Sequence, residues 1–401
     1  MKHVVVLVPG FFGFAQLGGI RYFRHVEQLL DARFHQAGHE VRIVAAATSP
    51  TGSIRKRALK LADALNRAAP QADERIHIVG HSTGGLDARL LATPGVSLGP
   101  GADAYHRRIQ TVVTLATPHF GTPVAAFFSS LAGKHLLFAV SLLMVVSMQG
   151  VGGRSMAWLG RLLALVSRWD DLLGLDNNLL DFLARKMLAE FDQKSRDEVM
   201  RWASSIISDR GALLQVTPEG MDIFNAAAVD NPGTRYLSYV TAVPPPSLKI
   251  LLGNARDLYF PASYALFSGL YKVADGESSV YPYPEFPAYL EQAALRAWNV
   301  RRLDRLTDGM VPSRSQLWGE VAGLVQGDHL DVCGHFYPGK GIASHTDWLR
   351  SGAKFTPEVF HDLWGDIAAR LCGLPSPAVR SSSFQPCPSS RVGTGLRRRA
   401  E

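Results

Sequence analysis

Ile76-His77-Ile78-Val79-Gly80-His81-Ser82-Thr83-Gly84-Gly85-Leu86 joins an apolar, β-branched run to a helix-like one. The joint has the form Gly-x-Ser-x-Gly, with Gly80, Ser82 and Gly84 at the defining places. Glycine on both flanks lets the backbone turn where side chains would collide. The turn pushes the serine hydroxyl out at the carboxyl edge of a sheet, over a helix N-terminus. Ser82 is therefore a candidate nucleophile; the blander reading is a strand-to-helix turn that Ser82 merely caps.

Outward from this turn, the first 120 residues alternate two patterns. Val4–Val8, Val41–Ala45, Ile76–Val79 and Thr111–Leu115 read as strands; Ile20–Ala37, Ser53–Ala69 and Gly84–Ala92 read as helices. Ile54, Ala58, Leu61, Ala62 and Leu65 recur at helical spacing, and Gly38 suits a helix C-cap. The strands are too apolar to be half exposed. The pattern predicts an α/β fold with a mostly parallel sheet and helices on both faces.

After Pro123 the rhythm stops. Residues 124–232 read as a large helical cap or lid insert, with helices around Met156–Val166 and Asn178–Phe191. Within it, Leu136–Met148 carries no charge but is shorter than the ~20 residues a membrane span needs. Strands return at Tyr236–Val243 and Val321–Val325. The reading is thus a sheet core in two parts, 1–123 and 233–373, with a Tyr- and Pro-rich excursion at 255–290. Tyr259–Tyr289 reads as loop and cap. Pro357–Leu371 reads as a helix with Thr356 as N-cap, and 374–401 as a disordered Arg/Ser/Pro-rich tail.

The chain has 401 residues, 47% of them apolar and 19% charged, enough to bury a large core. Its net charge is +7, but residues 374–401 supply +4 of it through Arg380, Arg391, Arg397, Arg398 and Arg399 against Glu401. The folded part then lacks the basic excess of a nucleic-acid binder. Three cysteines, Cys333, Cys372 and Cys387, are too few for a disulfide framework. Val4–Val8 is too short for a signal-peptide core and reads as a strand, so reduced cytoplasm is the expected location.

A serine hydroxyl needs a base, and the base needs an orienting acid. Downstream of Ser82 stand Thr307-Asp308-Gly309-Met310-Val311-Pro312 and Gly327-Asp328-His329-Leu330-Asp331. His329 follows the last strand, so it belongs at the same sheet edge as Ser82. Asp308 sits in an Asp-Gly turn. The order serine, acid, histidine suits a strand–turn–helix nucleophile. Asp304 and Asp328 are rival acids, and His335 and His345 rival bases. Two backbone N–H groups must also hold the oxyanion. Thr83, after the nucleophile, is one; Phe11, after Gly10 in the loop Pro9-Gly10-Phe11-Phe12-Gly13, is the other. His329, Asp331, Cys333 and His335 could instead be read as transition-metal ligands, but no second ligand pair at zinc-like spacing accompanies them.

Val-Pro-Gly-Phe-Phe-Gly, Gly-His-Ser-Thr-Gly-Gly, Ala116-Thr117-Pro118-His119-Phe120-Gly121-Thr122-Pro123, Asp308-Gly-Met-Val-Pro and Asp328-His329-Leu330-Asp331 together resemble bacterial true lipases of the α/β-hydrolase fold. The resemblance covers about residues 3–123 and 300–336. It implies a triacylglycerol lipase-like carboxylic-ester hydrolase with Ser82 as nucleophile, Asp308 as acid, His329 as base, and Phe11 and Thr83 as oxyanion donors. Family lipases typically carry His-Gly in the oxyanion loop where this chain has Pro9-Gly10. No cofactor is required by this chemistry. Some family members hold a structural calcium through an Asp two residues past the base, which Asp331 matches, and another well upstream of the acid. No Asp lies between Asp275 and Asp304 to supply the second.

A run that is apolar on all sides, such as Leu136–Met148, either packs as a core helix of the cap or covers a pocket mouth and meets lipid. On the second reading Leu136, Phe138 and Leu142, with Phe12 and His81, line the site for an acyl-ester substrate. Residues 136–148 would then touch a membrane or lipid-droplet surface. The same residues leave open an acyltransferase, an intracellular polyester depolymerase, or a catalytically silent lipid-binding protein.

Overall fold

A central sheet is dictated by strands that tolerate no water on either face. β1 (Lys2–Val8) is buried from His3 onward. Its side chains alternate between two layers: Val5 and Leu7 enter one core, Val4, Val6 and Val8 the other. The computed structural model describes residues 1–17, 20–148, 185–186, 188–189, 191–254, 259–276, 281–298, 303–336 and 347–387. In it, two short strands, β2 (Gln16–Leu17) and β3 (Ile20–Arg21), form their own antiparallel pair. β4 (Glu40–Ala45), β5 (Arg75–His81), β6 (Ile109–Leu115), β7 (Arg235–Ala242), β8 (Glu320–Gln326) and β9 (Phe384–Pro386) join β1 in a seven-stranded sheet of order β4-β1-β5-β6-β7-β8-β9. All pairs are parallel except β8 with β9.

Helices α1 (Arg24–Gln36), α2 (Ile54–Ala68) and α3 (Thr83–Ala92) follow β3, β4 and β5. Val26, Leu30 and Phe34 of α1 pack on the layer of Val5 and Leu7, while Ala58, Leu61 and Leu65 of α2 and Leu91 of α3 pack on the layer of Val4 and Val6. The insert supplies α4 (Pro123–Ser129), α5 (Leu131–Met148), α6 (Gln193–Ser208), α7 (Gly211–Gln215) and α8 (Pro218–Ala227). Then come α9 (Leu248–Gly253), α10 (Phe260–Gly276), α11 (Ala288–Trp298) and α12 (Pro357–Cys372). Caps sit where composition placed them: the Ser53 side chain accepts from Lys56 N–H, and that of Thr356 from Val359 N–H ahead of Pro357.

Three expectations change. The first helix begins at Arg24, because Ile20–Arg21 is spent on pairing with Gln16–Leu17. Tyr259–Tyr289 is not all loop: Phe260, Tyr264, Phe267 and Tyr271 recur at helical spacing and are buried along α10. Nor is the tail wholly unstructured, since Phe384–Pro386 closes the sheet edge antiparallel to β8. Residues 388–401 lie outside the described residues, as do Met156–Val166 and most of Asn178–Phe191. All three cysteines are free and buried.

Phe384 is fully buried, stacked on Tyr239 at 6.4 Å between ring centroids, and its ring occupies the space a side chain at Gly323 would need. Truncating so large a core ring leaves a cavity that costs ~3–5 kcal/mol. Phe384→Ala should lower the unfolding free energy by that amount in urea titrations; a change below ~1 kcal/mol would show that β9 does not cover the sheet in solution.

Candidate active site

The carboxyl ends of β1, β5, β7 and β8 bring the candidate residues to one rim. β5 runs into Ser82, whose backbone has φ 53° and ψ −130°. That left-handed conformation is strained for any residue with a Cβ and must be imposed by its surroundings. The flanking glycines show how. A Cβ on Gly80 would lie 2.5 Å from the backbone of Gly84 and Gly85, and one on Gly84 would strike the carbonyls of Val8 and Pro9. Ser82 N–H still donates to Leu115 O of the neighbouring strand at 2.8 Å, so the turn stays tied to the sheet.

β8 ends in a loop fixed by its own carboxylates. Gly327 N–H donates to Ala242 O at 3.1 Å, continuing the sheet. Asp328 Oδ1 accepts from the N–H groups of Leu330 and Asp331, its Oδ2 from the Ser351 hydroxyl, and Asp331 Oδ2 accepts from Asp328 N–H. These bonds hold His329 in place. Its Nδ1 lies 2.8 Å from Asp308 Oδ2 and its Nε2 2.9 Å from Ser82 Oγ. A carboxylate only accepts, so Nδ1 carries the proton, and Nε2 is left with a lone pair to accept the Ser82 O–H.

Asp308 is buried and held on both oxygens. Oδ1 accepts from Met310 and Val311 N–H at 2.9 and 2.8 Å; Oδ2 accepts from Thr241 Oγ1 and Gln316 Nε2 at 2.8 and 3.1 Å besides His329. Gly309 turns at φ 93°, with Phe267 filling the place of a side chain. The rival acids are elsewhere engaged or exposed: Asp328 serves its own loop, and Asp304 faces solvent on a 3-10 turn. Of the rival bases, His335 Nε2 lies 3.1 Å from Tyr22 O, and His345 lies outside the described residues.

The loop after β1 presses on the elbow. A Cβ on Gly10 would stand 2.8 Å from Ser82 Cβ and 3.3 Å from its Oγ. Phe11 and Thr83 line the same cavity as Ser82 and His329. Phe12 and His81 line it too. Leu136, Phe138 and Leu142 do not; Leu137 and Val140, one helical turn apart, form that wall of α5. Leu136 through Val145 are buried throughout, so this stretch is packed in the cap and presents no apolar face to a surface. Among the described residues no helix is long and apolar enough to cross a membrane.

The transition-metal reading does not fit the side chains. His329 is committed to Asp308 and Ser82, His335 to Tyr22 O, and Asp331 Oδ2 to the Asp328 N–H. Among the described residues no group of three His, Cys, Asp or Glu could hold a metal ion. Burial pushes Asp328 up to about 6 and Asp331 well above the usual carboxylate range.

Several contributors had no sequence signal, namely Thr241, Gln316, Tyr22, Leu137 and Val140. Arg57 had one, being a charge inside the apolar stripe of α2. His81 is a brace rather than a wall alone. Tyr22 Oη lies 2.8 Å from its Nδ1, and its Nε2 lies 2.6 Å from His329 O. Burial and the nearby His329 hold its pKa well below the usual imidazole value, so it is neutral. The His329 carbonyl can only accept, hence Nε2 carries the proton and Tyr22 donates to Nδ1.

A seven-stranded, mostly parallel sheet with its serine elbow after β5 and its histidine after β8 defines the α/β-hydrolase fold. Residues 25–132 match the PGAP1-like alpha/beta domain family. No curated protein matches the sequence. Among solved structures the chain is similar to lipase 1 from Pelosinus fermentans, at 17% identity over 93% of this chain and 99% of that one, with a TM-score of 0.49. It is also similar to the Staphylococcus hyicus lipase (16%, 92% and 95%, 0.45) and to a metagenomic carboxyl esterase (14%, 90% and 73%, 0.45).

Removing the Tyr22 hydroxyl orphans a buried imidazole nitrogen, which costs ~1–3 kcal/mol. Tyr22→Phe should lose that much stability in denaturant titration; an unchanged midpoint would mean the Tyr22–His81 bond is not formed.

Proposed function

We propose that the protein is a serine carboxylic-ester hydrolase, lipase-like, that works through an acyl-enzyme. The observation that carries this reading is the continuous relay from Asp308 Oδ2 through His329 to Ser82 Oγ, at 2.8 and 2.9 Å, opening on an apolar cavity. Ser82 Oγ attacks the ester carbonyl carbon while its proton passes to His329 Nε2. The carbonyl π pair moves onto oxygen, where the N–H groups of Phe11 and Thr83 receive it. Asp308 keeps the imidazole in the productive tautomer and stabilises the imidazolium. Collapse expels the alcohol, which takes the proton from Nε2. Water, deprotonated by His329, then attacks the acyl carbon and releases the acid and Ser82.

The substrate's apolar part fits the walls. Phe12, Phe128, Leu137, Val140, Leu213 and Trp348 surround the space beside Ser82. An acyl chain lodged there gains ~0.8 kcal/mol for each buried methylene. Fit inside the cap, rather than contact with a membrane, is what the buried α5 favours. No cofactor enters the reaction.

A fluorophosphonate should label wild-type protein at Ser82 and leave Ser82→Ala unlabelled. Ser82→Ala and His329→Ala should each lower kcat on a butyrate ester by roughly 10⁴-fold or more. Absence of labelling in the wild type would favour a lipid-binding protein, and ester products formed with an added alcohol would favour acyl transfer. Val140→Trp should narrow the cavity and reduce the preference for octanoyl over acetyl esters by about tenfold or more, a few methylenes' worth of discrimination. An equal loss on both esters would remove α5 from the acyl site.

A further inference from the structure

Arg57 lies on α2 among the residues that face the sheet, and it is 0% exposed. A buried guanidinium is tolerated only when its N–H groups find acceptors. Nε donates to both oxygens of Asp87, at 3.1 and 3.0 Å, and Nη2 stands 2.8 Å from Asp87 Oδ2. Nη1 donates to Ser49 O and Pro50 O at 2.7 and 3.1 Å; Nη2 donates to Pro9 O and Gly10 O at 2.9 and 3.0 Å. Asp87 belongs to α3, the helix that Ser82 opens. One side chain thus ties the loop after β1 to the helix behind the nucleophile.

The consequence lies in the Gly10–Phe11 peptide. A peptide unit is planar and trans, so its C=O and N–H point in opposite directions. A hold on Gly10 O therefore aims Phe11 N–H. Gly10 O is held twice, by Arg57 and by Gly13 N–H at 3.0 Å, while the same residue abuts Ser82. We propose that Arg57 is a positioning residue for the oxyanion site, fixing the Gly10–Phe11 peptide so that Phe11 N–H meets the developing charge; this rests on the ester-hydrolase reading above. Lysine cannot replace it, because a single ammonium cannot span carbonyls at residues 9, 10, 49 and 50 together with a carboxylate.

The test compares an ester with its thionoester, whose C=S sulfur accepts hydrogen bonds weakly and so draws little on an oxyanion site. Wild type, Arg57→Lys and Asp87→Asn are purified, checked for folding by circular dichroism, and assayed on p-nitrophenyl butyrate and p-nitrophenyl thionobutyrate. In folded variants the kcat on the oxo ester should fall by roughly 10- to 100-fold with KM little changed, and the oxo-over-thiono ratio should fall by about tenfold. A smaller folded fraction lowers both rates alike and leaves the ratio unmoved. Folded variants with the wild-type ratio would overturn the proposal, and so would failure of both variants to fold, which would make Arg57 a support of the core only. A wild type inactive on both esters and unlabelled by fluorophosphonate would sink the hydrolase reading itself.

Discussion

The site depends on one backbone constraint, a serine held at φ 53°. Such a conformation costs roughly 1–3 kcal/mol and persists only where neighbours leave no alternative. Here the neighbours are backbone. Gly80 lies against Gly84 and Gly85, Gly84 against the carbonyls of Val8 and Pro9, and Ser82 N–H is anchored on β6. Because β5 sits between β1 and β6, the strain is supported from both sides of the sheet. The same crowding brings the Gly10 loop beside the hydroxyl. Elbow and candidate oxyanion loop are one packing problem with one solution.

The polar parts of the site are organised in the same over-determined way. Asp308 accepts from five donors, which fix both of its oxygens. His329 is gripped through its side chain by Asp308 and through its carbonyl by His81, which Tyr22 braces in turn. Each of these groups lies in a region with little water, where an unmet donor or acceptor is costly. The geometry is therefore preset rather than assembled when substrate arrives.

Much of this is legible in the residues and some is not. The strands at Val4, Ile76, Thr111, Tyr236 and Val321 are legible because central parallel strands leave no room for polar alternation. Ser82 and His329 are legible by residue type, chain order and position after strands, and Asp308 by chain order and its Asp-Gly turn. The wall of the cavity is not, because a helix apolar on every side carries no signal that Leu137 and Val140 rather than Leu136, Phe138 and Leu142 face it. The tail misleads for the opposite reason: Phe384 is one aromatic among Ser, Pro and Arg, and only the open edge of β8 gives it a place. In α10 the helical spacing of Phe260, Tyr264, Phe267 and Tyr271 is present, but tyrosine and serine mask it as loop. Arg57 stands out as a charge in the apolar stripe of α2, but its partners do not, since its acceptors come from three separate stretches of chain.

The double duty of α5 couples selectivity to folding. Leu137 and Val140 touch the cavity while the residues between and beside them are core. An occupant there replaces empty space with van der Waals contact and stabilises the native state by mass action. Acyl product retained in the cavity would then act as a folding ligand, and the temperature at which the cap loosens would climb with its concentration.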